Sequence, residues 1–187
     1  IYWMPIIGLF CTVDILVKPG TQIALNALLS LYAALNKKQE KGKYVAIFNP
    51  TREEVRRFFC DVWKKKTTGQ ILDPMETLAG DWMVEHPEYH ALLADPEGAL
   101  AQDYTPERGE TNPFLHLSMH LSISEQISID QPPGIREVAE KLSKKLGSEH
   151  EAQHRMMECL GQVMWEAQRE AKPLNPENYL EALKKLV

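Results

Sequence analysis

The chain has 187 residues, of which 44% are hydrophobic and 25% charged, with 26 acidic against 21 basic side chains and a pI near 5.7. That length supports one domain with a real core, and that composition excludes disordered, collagen-like and multi-span membrane proteins. The acidic balance gives no general attraction to phosphate backbones, so the expected partner is an unidentified small molecule or protein and not a nucleic acid.

Residues 1–46 contain no histidine and carry two acids against five lysines, whereas the other 141 residues hold 24 acids against 16 bases. The composition therefore shifts near Lys43, dividing the chain into an apolar N-terminal extension, residues 1–46, and a body, residues 47–187. Residues 1–17 are interrupted by Pro5, Gly8 and Asp14 and lack a basic start, which makes a poor signal peptide and a poor membrane span. Residues 23–35 are Ala/Leu-rich but fall short of the ~20 residues that a spanning helix needs. No membrane span is expected. The chain begins on Ile rather than Met, which leaves open a fragment, a processed product and a reading frame extended upstream. Cys11, Cys60 and Cys159 are far apart with no C-x-x-C, so they read as reduced thiols and the location as cytoplasmic.

The body reads as all-α, a single-domain bundle of about six or seven helices. Thr51 with Glu54 forms a capping box opening a helix over residues 52–66, with Val55, Phe58, Phe59 and Val62 at helical spacing. Asp73-Pro74 opens the next, with Leu78, Trp82 and Val84 as core positions. A polar connection over residues 102–111 follows, of a kind that can form the lip of a site. Asn112-Pro113 starts a helix to about Ile129, Gly134 precedes one to about Leu146, and Ser148 with Glu151 caps a long one to about Ala171. Asn175-Pro176 starts the last.

The six histidines form three H-x-x-x-H pairs with none left over: His86 and His90, His116 and His120, His150 and His154. At this histidine content about 0.2 such pairs arise by chance, and the spacing places two side chains one turn apart on a helix face. Metal chelation favours this arrangement, because two neutral imidazoles one turn apart reach one ion, and imidazole suits Zn, Fe, Ni or Cu. On a helical wheel His116 and His120 share a sector with Leu117, Ile123 and Ile127 and so face inward. His150, His154 and Glu158 form one row beside Met157, Met164 and Trp165, which read as core; Glu158 is a candidate carboxylate ligand or orienter of His154. Pro87 interrupts the first pair, so that either His86 is an N-cap and His90 the better helical ligand, or the helix continues with a kink.

From residue 48 onward the sequence resembles the bacterial domain-of-unknown-function family numbered 1841. The resemblance rests on FNPTREEVRRFF at 48–59, HPEYHALL at 86–93, DYTPERGETNPFLHLSMH at 103–120, SIDQPPGIR at 128–136 and HRMMECLGQVMWEAQR at 154–169. It implies that residues 1–46 lie outside the family domain, and it carries no activity. By looser analogy, histidine-lined bundles such as hemerythrin-like and DinB-like proteins hold metals between helices. The chain lacks the carboxylate pairs and E-x-x-H repeats of ferritin-like di-iron sites.

Two functions follow from these residues. One is a divalent-metal protein, with Zn or Fe held by His86, His90, His116, His120, His150, His154 and Glu158, whose bound water would serve a metal-dependent hydrolase or transferase. The other is a non-catalytic interaction or regulatory module with structural or pH-sensitive histidine pairs. The metal reading requires the helices starting near Pro87, Pro113 and Glu149 to be neighbours. Ring nitrogens of different pairs should then stand about 3 to 4.5 Å apart, and a nearby carboxylate such as Glu158, Glu85 or Glu88 should offset the positive helix ends.

Overall fold

The computed structural model describes residues 52–102, 104, 112–171 and 175–187. The expectations for residues 1–46, for the Thr51 cap and for most of the polar connection lie outside the described residues. Among the described residues there are eight α-helices and no strand. They are α1 (Arg52–Thr67), α2 (Pro74–Val84), α3 (His90–Leu93), α4 (Pro96–Ala101), α5 (Pro113–Ile129), α6 (Ile135–Leu146), α7 (Glu149–Arg169) and α8 (Pro176–Lys184). The short pieces α3 and α4 account for the excess over the expected number. Pro87 opens a 3-10 turn, Pro87–Tyr89, and Pro96 opens α4, so this stretch is cut into short segments.

Local sequence sets the ends of these helices. In α1 the acids Glu53 and Glu54 fill the first turn and Lys64, Lys65 and Lys66 the last, complementing the helix dipole at both ends. Asp73 and Glu76 form a reciprocal capping box at the start of α2. The Asn112 side chain accepts from the backbone N–H groups of Phe114 and Leu115 to start α5. Gly147 takes a left-handed conformation (φ 73°) that ends α6, and Ser148 then accepts from Glu151 N–H to begin α7. This two-residue connection fixes the first turn of α7, where His150 stands.

The helix α5 is buried on all sides, from Phe114 through Gln126, and is therefore the central element. Its first half packs with α1 to α4 around Val55, Phe59, Met83, Leu93, Phe114, Leu117 and Leu121. Its second half packs with α6, α7 and α8 around Ile123, Ile135, Leu142, Met156, Leu160 and Tyr179. Each such buried side chain contributes about 1.5–3 kcal/mol, so both clusters are substantial. Five of the six histidines, His86, His116, His120, His150 and His154, meet where α5 and α7 face the end of α2. Two core expectations are corrected. Val84, the last residue of α2, is 50% exposed, and Trp165 is 52% exposed with the Arg169 guanidinium 4.6 Å above its ring. No described helix is long and apolar enough to cross a membrane.

Candidate metal centre

His86 follows the last turn of α2 in a non-helical conformation, caps the 3-10 turn and is 2% exposed. His116 and His120 come from the first half of α5, and His150 and His154 from the first two turns of α7. One nitrogen each of His86, His116, His120 and His154 lie within 4.8 Å of one another, close enough to hold a metal ion. The Nε2 atoms of His86 and His120 are 2.9 Å apart, and those of His116 and His154 are 3.1 Å apart. His150 Nε2 stands 3.1 Å from His86 Nε2.

The second nitrogen of each central ring decides what Nε2 offers. His86 Nδ1 lies 2.8 Å from Glu88 Oε1. Burial pushes the Glu88 carboxyl up, but its hydrogen bonds with His86 and the backbone outweigh this and hold it below the usual range. An ionised carboxylate only accepts, so His86 Nδ1 donates to it, and in the neutral ring the lone pair then stands on Nε2. His120 Nδ1 lies 3.0 Å from Gln153 Oε1, while the Gln153 amide nitrogen donates to Ser124 Oγ at 3.0 Å. Ser124 Oγ also accepts from the Trp82 indole N–H at 2.9 Å. With the carboxamide so oriented, His120 is likewise protonated on Nδ1. With both rings neutral, two lone pairs therefore face each other at 2.9 Å in a buried place.

Electrostatics disfavour a proton on His120, His116 and His154. Burial holds the His120 imidazole down at about 2, only partly offset by its bond to Gln153. Burial, then the neighbouring His86 and His154, lowers His116 to about 4, and burial followed by His150 and His86 lowers His154. Neutral imidazoles are the ligand form, and M–N distances of about 2.0–2.1 Å set the ligand nitrogens of a tetrahedral site about 3.3 Å apart. The Trp82 ring stacks on His120 at 4.1 Å, fixing its plane.

A family model described as Domain of unknown function (DUF1841) matches residues 51–185. The chain belongs to this family. No curated protein and no solved structure matches the chain. The matched span of DUF1841 contains every histidine of the cluster.

Two candidate ligands of this DUF1841 domain lie elsewhere. His90 faces away from the cluster. Its Nε2 donates to the Met83 carbonyl at 2.8 Å and its ring stacks on Trp63 at 4.1 Å. Pro87 is the reason, because the turn it opens breaks the continuous helix that would have aligned His86 with His90. The expected order of this pair is thus reversed, His86 being the central one. Glu158 is exposed and paired with Arg155 at 3.0 Å, two turns beyond His150 on α7. The carboxylate at the cluster is Glu88 instead. The helical period makes Trp82 a core position and marks neither Gln153 nor Ser124 for the site. Gln153 carries a signal, being a polar, uncharged side chain directly before His154 and one turn after His150.

Proposed function

We propose that this domain is a divalent-metal protein whose ion is held through Nε2 of His86, His116, His120 and His154. The observation that carries this reading is the convergence of four imidazole nitrogens within 4.8 Å of one another, with Nε2 of His86 and His120 2.9 Å apart and each of these two rings held at Nδ1 by a hydrogen bond. Carboxylate and amide partners on the second nitrogen orient the rings of metal-bound histidines and raise their basicity. Neutral imidazoles without thiolates suit Zn or Fe and leave the ion with a net positive charge. An ion with an open position lowers the pKa of a bound water to about 7, which supports a hydrolase or transferase reaction. A cytoplasmic setting belongs to the same reading and agrees with free thiols at Cys60 and Cys159. Elemental analysis after reconstitution with Zn or Fe tests it. We expect about one ion per chain in the native protein and loss of it in His120→Ala plus His154→Ala; less than about 0.1 equivalent in the native protein overturns the reading.

The lowered His116 and His120 also favour a second reading, a pH-sensitive interaction module without metal. Acid titration before and after treatment with a chelator separates the two. An unchanged midpoint supports the module, and a large loss of stability at pH 7 supports the metal.

A further inference from the structure

Resting on the metal reading, we propose that exogenous ligand reaches the ion through the cleft beside His150, taking a position that His150 can yield, and that this ligand is a small neutral or cationic molecule. The cleft has a volume of about 400 Å³ and is walled by Leu78 and Trp82 on α2, Glu85 after it, and Glu149 and His150 on α7. Among the five clustered histidines, His150 is the one that lines it. The other four nitrogens are mutually within 4.8 Å, and His150 stands outside that set yet 3.1 Å from His86 Nε2. It is thus placed between the cleft and the four-histidine set. Trp82 joins the two spaces as well, since its ring stacks on His120 and also forms cleft wall.

The wall chemistry selects the ligand. Leu78 and Trp82 supply apolar surface, and the carboxylates of Asp81, Glu85 and Glu149 supply negative charge, of which Asp81 is paired with Lys66 at 2.8 Å. Charge of one sign on the walls of a cleft repels like-charged solutes. The wall carboxylates thus oppose the attraction of the ion for a phosphate ester, whereas a neutral amine, azole or amide with one donor atom for the ion enters without that cost.

The test uses cobalt(II)-loaded full-length protein at pH 8, titrated with imidazole or inorganic phosphate and followed by visible absorption. His150→Ala should retain about one cobalt per chain and bind imidazole at least about tenfold tighter than the native protein, in which His150 competes for the same position. Adding Glu85→Trp, or Glu149→Trp on the opposite wall, should weaken imidazole at least about tenfold without changing cobalt content. Phosphate should leave the spectrum unchanged. Loss of cobalt from His150→Ala, a spectrum that imidazole does not move, indifference to tryptophan at both wall positions, or phosphate binding as tight as imidazole each overturns the proposal. Native protein that takes up no cobalt overturns the metal reading itself and this proposal with it.

Discussion

His86 and His120 are 34 positions apart, yet their Nε2 atoms meet at 2.9 Å with Glu88 and Gln153 behind them. If these partners set the tautomers, their removal should weaken metal binding without emptying the ligand set. Glu88→Gln and Gln153→Leu are each expected to lose about 10–100-fold in zinc affinity while still binding one ion per chain. Competition titration against a chromophoric chelator measures this; native affinity in both variants would refute the orienting role.

His90 acts on the site only through the backbone, because its bond to the Met83 carbonyl braces the end of α2 just before His86. His90→Ala should cost about 1–2 kcal/mol of stability, from a lost hydrogen bond and a lost stack on Trp63, and should keep one metal per chain. Denaturant unfolding with metal analysis checks both. Loss of the ion with the fold intact would make His90 a ligand.

Arg56 is 2% exposed, and its Nη1 donates to the carbonyls of Ala99, Leu100 and Gln102 at 2.7–3.1 Å. Its guanidinium lies 5.4 Å from the ring centres of Tyr104 and Phe114, tying the end of α4 to the start of α5. Arg56→Ala should destabilise the domain by about 3 kcal/mol, since three carbonyls lose a charged donor. A change below about 1 kcal/mol in urea unfolding would contradict this.

The pH dependence of the metal-free protein has two opposed parts. His116 and His120 are lowered in the fold, so below about pH 6.5 the unfolded chain binds more protons and stability falls as pH drops toward 4. Glu125 is buried and raised to about 7, so from about pH 4.5 to 7 the fold binds the extra proton and stability falls as pH rises. Glu125→Gln should accordingly gain stability at pH 8, by up to ~3 kcal/mol, and gain little at pH 4. Thermal midpoints across this range test the sign; an equal gain at both pH values would remove Glu125 from the account.

The helices were legible because their ends carry strong local signals: Asp73-Pro74, Asn112-Pro113, Ser148 with Glu151 and Asn175-Pro176 all stand where expected. The inward face of His116 and His120 followed from the helical period. His90 and Glu158 were assigned by extending that period past Pro87 in one case and along an exposed stretch of α7 in the other. Spacing tells which residues share a helix face, but not which part of the face a neighbouring helix covers. The hydrogen bonds of Gln153, Ser124 and Trp82 join α2, α5 and α7, and such long-range contacts leave no periodic trace.

X-ray absorption of the zinc-reconstituted protein tests the central claim most directly, because it counts the imidazoles around the ion. The account predicts four to five nitrogen scatterers at about 2.0–2.1 Å with the outer-shell pattern of imidazole, the fifth being His150, and fewer in His120→Ala. A first shell of oxygen alone, or an imidazole count that His120→Ala leaves unchanged, would contradict it.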